Sequence, residues 1–333
     1  MEIGKLKNEM LGEIVLAEIK PIREDILIRP SVGEDCAAIA FDDFACVLTT
    51  DPITGSGSSL GHLAVHVCLN DIASSGAEAV GVLLTLLCPV GTTKEAIQDV
   101  LREANKSANA MGVEIIGGHT EVTDAVNRMV ISATAVGKTK TSCLVRTSGA
   151  HAGDFIYLTK QAATEGTAII AHDKENELKC VLTEDEIESA KALMSAISVV
   201  PEGRIGAKSG VSAMHDATEG GVLGAIHELC DASGKGCIVD KAAIRILPVT
   251  SKIASHFNID PYKLIASGTM VMTVSEQKSK GLEDLLLASG IEFTRVGFIT
   301  DEPKKILKTV HAGGEVEFEE LLAPEADELY KVV

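Results

Sequence analysis

Short apolar runs alternate with segments of helical spacing along most of this chain. Phe44–Thr49 is apolar and β-branched, as a buried strand is, and the apolar residues from Leu60 to Cys68 then recur at helical spacing. The second half repeats this order, with a strand pattern at Phe155–Thr159 and a capping box formed by Thr183 and Glu186. Strands that alternate with helices predict an α/β fold. At 333 residues the chain has room for two domains.

The same patterns predict most of the remaining elements. Thr92 and Glu95 form a second capping box, which opens a helix that runs to Met111. A polar, turn-rich stretch at Arg146–Gly153 predicts the domain junction, and hence domains 1–150 and 151–333. The other predicted elements are the strands Val80–Leu87, Val113–Ile116, Met129–Val136, Thr269–Val274 and Ile291–Ile299, and the helices Thr218–Cys230 and Gln277–Ser289.

Charge and composition exclude several classes of partner. A net charge of −18 argues against a protein that binds nucleic-acid backbone, because such proteins need a basic surface. The longest apolar stretch, Ala79–Val90, is too short to span a bilayer, and Met1–Met10 lacks the apolar core of a signal peptide. The eight cysteines are dispersed, which suits reduced thiols. We therefore expect a cytoplasmic protein without a membrane or nucleic-acid partner.

Five short acidic motifs share one context. Each lies beside glycine, or where a strand gives way to a loop or helix, and such positions are where ligands usually bind in α/β domains. Several carboxylates would repel a naked triphosphate, but Mg²⁺ can bridge carboxylate and phosphate oxygens. Each motif alone has a simpler interpretation as a turn or a helix cap. The motifs are Gly33–Asp35, Thr49–Asp51, Asn70–Asp71, Gly117–Glu121 and His215–Gly221.

Two familiar nucleotide signatures are absent from the sequence. Gly203–Ser209 lacks the spacing of a P-loop, and the glycines of Gly55–Gly61 miss the dinucleotide fingerprint by one position. The sequence also does not identify a general base, because His62, His66 and His215 are candidates by residue type alone.

Taken in order, the acidic motifs resemble those of the aminoimidazole ribonucleotide synthetase (PurM-like) superfamily. The matching segments are G-E-D-C-A-A-I at Gly33–Ile39, T-T-D at Thr49–Asp51, N-D-I-A-S-S-G-A at Asn70–Ala77, G-G-H-T-E at Gly117–Glu121 and H-D-A-T-E-G-G at His215–Gly221. The resemblance implies a two-domain α/β (α+β) fold. In it, the N-terminal domain forms a β-barrel across a homodimer and a C-terminal α/β domain packs against it.

The resemblance also implies the cofactors, ATP and Mg²⁺, and the residues that hold them. Relatives commonly have Asp or Glu in place of His119, and histidine is a poor ligand for Mg²⁺. Either Glu121 supplies that carboxylate or a metal ligand is lost. The implied metal ligands are Asp35, Asp51, Asp71, Glu121, Asp216 and Glu219. The implied nucleotide-binding residues are Asp35, Thr49, Thr50, Asp51, Asp71, Gly117, Gly118, His119, Arg146, Thr218 and Gly220.

Within the superfamily the layout is most similar to the hydrogenase-maturation protein HypE. HypE works through a C-terminal cysteine, whereas this sequence ends Leu329–Val333 and has its last cysteine at Cys237. The resemblance therefore predicts an ATP- and Mg²⁺-dependent enzyme, a synthetase or kinase that catalyses phosphoryl transfer, dehydration or ligation. Its acceptor is a small molecule or a peptide group. Two alternatives stay open: an ATP-binding maturation factor that acts on a partner protein, and a non-catalytic nucleotide-binding relative.

Overall fold

The computed structural model describes residues 6, 8–54, 59–311, 313–323 and 326–333, which form two compact units. The N-terminal unit consists of Glu24–Arg29 and Asp35–Leu144. The C-terminal unit takes the described residues up to Arg23, then Pro30–Glu34, and then those from Val145 onward. The division at residue 150 stays a prediction. The patterns noted for Met1–Met10 and Gly55–Gly61 lie partly outside the described residues.

The N-terminal unit is built on a six-stranded sheet with the strand order β1-β2-β3-β6-β4-β5. Neighbouring strands are antiparallel except β4 and β5, which are parallel because a helix connects them. The strands are β1 (Ile26–Ile28), β2 (Ala37–Phe41), β3 (Phe44–Ile53), β4 (Glu78–Pro89), β5 (Glu114–Thr123) and β6 (Val130–Lys140), and the helices are α1 (Leu60–Ser74) and α2 (Lys94–Ala110).

Helix α1 packs on one face of this sheet against β3, β4 and β6. The helical spacing from Leu60 to Cys68 predicts a helix with one apolar face, which corresponds to an amphipathic helix. That is wrong, because every residue of α1 except His62 and Val67 is buried. The reason is that α2 covers the side of α1 that faces away from the sheet. The cap of α2 also differs from the prediction. Thr93 accepts the hydrogen bond from the Ala96 N–H, because the Thr92 hydroxyl instead donates to the Pro89 carbonyl in the turn after β4.

The opposite face of the same sheet is exposed. Along β3, Ala45 and Val47 alternate inward and are fully buried, whereas Phe44 points to the other side and is 50% exposed. Phe41, paired with Phe44 across the sheet, is also exposed, as is Leu83 in the middle of β4. The N-terminal unit thus has one face covered by helices and one apolar face without a covering layer among its described residues.

The C-terminal unit contains a seven-stranded sheet with the strand order β13-β12-β9-β11-β7-β10-β8. All neighbours are antiparallel except β9 and β12. The predicted strand at Phe155–Thr159 and the predicted capping box of Thr183 and Glu186 are both confirmed. The strands are β7 (Phe155–Thr159), β8 (Ala213–Asp216), β9 (Gly236–Asp240), β10 (Met270–Val274), β11 (Phe293–Thr300), β12 (Lys305–Val310) and β13 (Val316–Glu320).

Six longer helices complete the C-terminal unit. One continuous core lies beneath the sheet, where Ile156 and Val271 of the strands pack with Val222, Ile226 and Leu229 of a helix. The helices are α3 (Thr164–Asp173), α4 (Glu184–Ala192), α5 (Val200–Ser209), α6 (Gly221–Ala232), α7 (Pro248–Phe257) and α8 (Glu276–Ala288). Shorter helical turns of this unit occur at Asn8–Met10, Leu11–Val15, Leu16–Glu18, Thr147–Gly149, Glu175–Leu178, Leu193–Ala196, Lys241–Ala243 and Glu328–Lys331, and the N-terminal unit has one at Thr141–Cys143.

Two predicted boundaries are wrong where the acidic motifs lie. Strand β3 does not end at Asp51 but continues to Ile53, because its pairing with β6 continues to Ile131. The glycines after Ile116 do not begin a loop, since β5 continues beside the long strand β4.

In the described part of the chain, no helix is long and apolar enough to cross a membrane.

Candidate functional site

One of the predicted metal ligands is a buried carboxylate at the helix-covered face of the N-terminal sheet. Asp71 lies in the last turns of α1 and is only 7% exposed. The Thr49 hydroxyl of β3 donates a 2.5 Å hydrogen bond to Asp71 Oδ2 and so fixes the orientation of this carboxylate. Asp51 is two residues further along β3 and therefore lies on the same face of the sheet as Thr49. This face thus gathers two carboxylates and a hydroxyl, which are hard oxygen donors of the kind that Mg²⁺ prefers.

Thr50 lies on the other side of β3. Its hydroxyl donates to the Ala133 carbonyl at 3.1 Å and accepts from the Thr134 hydroxyl at 3.0 Å. Because neighbouring residues of a strand point to opposite faces, Thr50 is directed away from the face that carries Asp51. The structure therefore places Thr50 and Asp51, which were both predicted to bind the nucleotide, on opposite faces of the sheet.

A glycine of β5 lies in the same row of the sheet as Asp51. Residues paired across strands share a face, and the pairs run from Asp51 to Ala133, to Leu84 and to Gly118. Gly118 has φ +147°, and a Cβ atom on it would lie 2.0 Å from the Leu84 carbonyl oxygen. Only glycine fits there, and its backbone is left uncovered by a side chain. Gly117, at φ +159°, is adjacent to it.

Two side chains that follow these glycines, His119 and Glu121, contact each other. The His119 ring nitrogen Nε2 is 3.0 Å from Glu121 Oε2, and both side chains are largely exposed. His119 pairs with Thr85 across the sheet and Glu121 pairs with Leu87, which places both on the face opposite to Asp51. Within one N-terminal unit, Glu121 therefore does not join Asp51 and Asp71.

In the C-terminal unit the H-D-A-T-E-G-G motif spans the end of a strand and a tight turn. Asp216 is the last residue of β8 and is almost completely buried. His215, also buried, lies with Nε2 3.1 Å from Glu228 Oε2 of α6. The turn closes through a hydrogen bond from the Gly221 N–H to the Thr218 carbonyl. Helix α6 begins only at Gly221, so Asp216 ends a strand and does not cap the helix.

The glycines of this turn are required by its geometry. Gly220 has φ +84° and Gly221 has φ +64°, and both values favour glycine. A Cβ atom on Gly221 would lie 2.5 Å from the Tyr262 carbonyl oxygen. The start of α6 is thus a narrow, backbone-lined turn. Its Gly220 N–H donates to Asp327 Oδ2 at 2.7 Å, and its Leu223 N–H donates to the Tyr262 carbonyl.

Arg146 and Asp35 occupy less constrained positions. Arg146 is exposed and directly precedes the turn Thr147–Gly149. The two residues after it hold a carboxylate that sequence analysis missed: Glu34 Oε1 accepts hydrogen bonds from the Ser148 hydroxyl at 2.6 Å and from its N–H at 3.2 Å. Asp35, in the N-terminal unit, is half-buried in the loop before β2.

Two of the histidines that were candidate bases, His62 and His66, lie within the packing of the N-terminal unit. His62 Nδ1 is 2.9 Å from the Ser107 hydroxyl, which ties α1 to α2. Burial, together with the positive charge of His62, lowers the pKa of His66 to about 4. His66 is therefore neutral at physiological pH and is packed inside the N-terminal unit.

Two further acidic residues carry no motif and were missed. Glu165, in the first turn of α3, is 4% exposed, and Asp327, before the final helical turn, is 3% exposed. Burial raises the pKa of Glu165 to about 7. The neighbouring Ser267 opposes this rise, whereas the negative charges of Asp327 and Glu219 add to it. Burial also raises the pKa of Asp327 to about 6, although three backbone N–H groups oppose that shift.

Comparison with known proteins places this geometry in a family. The chain matches the model of the AIR synthase related protein, N-terminal domain, over residues 33–139, and that of the AIR synthase related protein, C-terminal domain, over residues 151–310. It is 25% identical over 313 residues to a putative hydrogenase expression/formation protein of Methanocaldococcus jannaschii, covering 91% of this chain and 90% of the relative. It is 26% identical over 290 residues to the carbamoyl dehydratase HypE of Cupriavidus necator, covering 83% and 79%.

Solved structures share the fold. ThiL in complex with AMPPCP and TMP has a TM-score of 0.74 at 16% identity, covering 98% of this chain and 99% of that one. HypE in complex with ATP has a TM-score of 0.68 at 18% identity, covering 99% and 98%. HypE in the HypE–HypF complex has a TM-score of 0.72 at 19% identity, covering 93% and 98%. The fold is therefore the two-domain PurM-like α/β fold expected from the motifs.

Proposed function

Because the chain belongs to the AIR synthase related protein family, we propose that it binds ATP as a magnesium complex. We propose further that it uses ATP in a phosphoryl transfer, dehydration or ligation on a small-molecule or peptide acceptor. The observation that carries this proposal is the buried Asp71 carboxylate, held by the Thr49 hydroxyl on the face of the sheet that also carries Asp51. Carboxylate and hydroxyl oxygens are the hard donors that Mg²⁺ prefers, so this face of the sheet offers suitable ligands.

Each predicted residue then has a proposed role. Carboxylates hold the metal, backbone N–H groups at glycine positions approach the phosphates, and Arg146 offers its guanidinium to an anionic group. Glu121 and His119 lie on the opposite sheet face, so a contribution of these two to the same metal would come from a second protomer. In the N-terminal unit, the proposed metal ligands are Asp35, Asp51 and Asp71, and the proposed phosphate contacts are Thr49, Gly117 and Gly118. In the C-terminal unit, the proposed contacts are Asp216 and Thr218, whereas the Gly220 N–H already donates to Asp327 Oδ2 at 2.7 Å.

The chemistry available to these residues is mostly positioning and electrostatics. Phosphoryl transfer needs little covalent chemistry from a protein, because the task is to align the groups and to stabilise charge on the transferring phosphoryl. Bound Mg²⁺ would neutralise phosphate charge, and the residues listed above would orient it. The relatives support this proposal, since solved structures of the same fold bind ATP or AMPPCP.

Binding of the nucleotide is tested by calorimetry on the wild-type protein and on Asp51→Ala. We expect a non-hydrolysable ATP analogue to bind the wild type only when Mg²⁺ is present. The variant lacks an anionic ligand and is expected to bind at least about 100-fold more weakly, since groups that only orient a ligand change affinity by about 10–100-fold. Equal affinities of the two proteins would remove Asp51 from the proposed site.

A maturation factor that acts on a partner protein is the second candidate. HypE, which shares this fold, has been solved in complex with HypF, and the M. jannaschii relative is named for hydrogenase formation. Cys237, the last cysteine in the sequence, is fully buried in β9 and offers no accessible thiol. A third candidate is a nucleotide-binding protein without turnover.

An ADP-release assay distinguishes these candidates. For an enzyme with a small acceptor, we expect at least one member of a panel of carbamoyl, formamide and monophosphate compounds to raise the rate of ADP release above its basal value. An unchanged rate with every compound, combined with intact nucleotide binding, would favour the maturation factor or the non-catalytic protein.

We also propose that the exposed face of the N-terminal sheet, defined by Phe41, Phe44 and Leu83, is covered by a second copy of the chain. The variant Leu83→Glu puts a charge in the centre of this face, so we expect the particle mass in light scattering to fall from that of a dimer to that of a monomer. The control is Val90→Glu, in the turn after β4, where the side chain is 76% exposed. A wild-type protein that is monomeric at micromolar concentration would contradict this proposal.

A further inference from the structure

The last strand of the C-terminal sheet lies at its edge. Strand β13 is at the end of the strand order and, in the described part of the chain, pairs with β12 alone. All five of its residues are exposed. Alternate residues of an edge strand direct their N–H and C=O groups outward, so such an edge can pair with a further strand. We call the outer side of Val316–Glu320 the β13 edge.

The two faces of β13 differ in character. Val316 and Phe318 alternate onto one face and are 44% and 62% exposed, whereas Glu317 and Glu319 point to the other face. The apolar face continues onto β12, because Val310 is paired with Val316 and is also exposed. A strand added at the β13 edge would therefore meet apolar side chains on one face and carboxylates on the other.

The same apolar face extends across the neighbouring strands. Residues paired across strands share a face, and Ile306 of β12 is paired with Ile238 of β9, which is paired with Phe298 of β11. Phe298 is exposed, and Ile238 and Ile306 are half-buried. Leu307, which points to the opposite face of β12, belongs to the core of the unit. An added strand would thus continue an apolar surface that already spans three strands.

The neighbouring strand does not neutralise the carboxylates of the β13 edge. The two lysines of β12 lie in ion pairs elsewhere, one with Asp240 of β9 and one with Asp231 of α6. Within the described residues, Glu319 and Glu320 have no ion-pair partner. The edge therefore keeps a local negative charge next to its apolar face.

These charges argue against a second copy of this chain as the occupant. If two β13 strands paired antiparallel with Phe318 opposite Phe318, Glu317 would lie opposite Glu319, and like charges directly opposite one another are destabilising. A shift of one residue would place a glutamate opposite Phe318. A strand that carries positive charge has the complementary pattern.

We propose that the β13 edge binds an extended segment of a partner protein in which apolar and basic residues alternate. The segment adds an antiparallel strand to β13. Its apolar residues lie opposite Val316 and Phe318, and its Lys or Arg residues lie opposite the glutamates of β13. Backbone hydrogen bonds supply affinity, and the alternation of side chains supplies specificity. This interaction surface does not depend on the reaction proposed above.

The probe is the fluorescently labelled peptide Lys-Lys-Val-Lys-Val with blocked ends, whose residues in this order are the partners of Glu320 to Val316. The control peptide Val-Val-Lys-Lys-Lys has the same composition and charge without the alternation. Fluorescence anisotropy on the full chain at constant ionic strength is expected to show at least about tenfold tighter binding of the alternating peptide. Equal affinities would mean that charge alone attracts the peptides, and would overturn the proposal, as would no binding of either peptide.

A charge reversal tests the proposed pairing. Glu319→Lys is expected to weaken binding of the alternating peptide by at least about tenfold, and to prefer a peptide with glutamate at the second position, which lies opposite residue 319. Glu319 is chosen because Glu317 Oε2 lies 2.8 Å from His311 Nε2. The matched control is Glu188→Lys on α4, where the side chain is 71% exposed, and it is expected to bind as the wild type does. A Glu319→Lys protein that still prefers the original peptide would overturn the pairing.

Phe318→Ser tests the apolar face and the alternative occupant. It removes an exposed side chain from the proposed contact, so we expect an unchanged Tm and at least about fivefold weaker binding of the alternating peptide. Leu287→Ser, at an exposed position of α8, is the control and is expected to bind normally. If Phe318→Ser instead lowers the particle mass in light scattering, a second copy covers the β13 edge and the proposal is overturned.

Hydrogen–deuterium exchange locates the bound peptide. We expect the alternating peptide to slow exchange of the backbone amides of Val316–Glu320, because those that point outward gain hydrogen bonds to the added strand. Peptide binding with unchanged exchange in this segment would place the peptide elsewhere and overturn the proposal.

Discussion

Asp71→Asn is expected to weaken binding of the Mg²⁺ complex of an ATP analogue by at least about 100-fold. The change keeps the shape of the side chain and an oxygen that accepts from the Thr49 hydroxyl, but it removes the negative charge that the metal requires. Groups that only orient a metal ligand change affinity by about 10–100-fold, so a direct ligand is expected to exceed that range. Calorimetry at saturating Mg²⁺ measures the effect.

Two further variants locate the cause of that loss. Thr49→Val removes the hydroxyl that orients Asp71 and is expected to cost about tenfold in affinity, as other orienting partners do. Asp99→Asn, on the exposed surface of α2, removes the same charge from the same unit and is expected to bind normally. If Asp71→Asn binds the nucleotide as well as Asp99→Asn does, Asp71 is not a ligand.

Gly118→Ala is expected to destabilise the N-terminal unit by about 3 kcal/mol and to abolish nucleotide binding. The new methyl group would lie 2.0 Å from the Leu84 carbonyl oxygen. This oxygen is backbone of β4, which is paired on both sides, so it cannot move without disturbing the pairing of β4 and β5. Its φ of +147° adds strain for any residue with a Cβ atom. Thermal and denaturant unfolding measure the loss of stability.

Gly117→Ala is the matched control for this prediction. Its φ of +159° is close to that of Gly118, but the nearest atom to an added Cβ would be Leu83 Cδ2, at 3.8 Å. We expect a cost of about 1 kcal/mol from backbone strain alone. Equal losses for the two variants would show that strain, and not contact with Leu84, makes glycine necessary at Gly118.

The alternation of strands and helices could be predicted because each element carries its own signal. Phe155–Thr159 is an uninterrupted apolar strand, and the capping box of Thr183 and Glu186 contains its own hydrogen-bond partners. Strand β13, at Val316–Glu320, escaped prediction because it is polar and exposed, and it forms only through its pairing with β12. The continuation of β5 through Gly117 and Gly118 likewise depends on β4.

The candidate site likewise combines residues that the sequence could predict with contacts that only the fold shows. Asp51 and Asp71 could be predicted as ligands because they belong to short motifs, but the bond from Thr49 to Asp71 joins two elements and is visible only in the fold. The motif around Gly117 gave no sign that Glu121 lies on the other face from Asp51, since that follows from strand register. Glu165 and Asp327 have no motif, and their burial together is a consequence of tertiary packing.

The central claim is that the wild-type chain holds ATP through Mg²⁺. The most direct measurement is a calorimetric titration of the wild-type protein with a non-hydrolysable ATP analogue, performed once with Mg²⁺ and once with excess chelator. We predict saturable binding with Mg²⁺ and a loss of at least about 100-fold in affinity without it, because the carboxylates would then face the phosphates unscreened. No binding in either condition, or the same affinity in both, would contradict the claim.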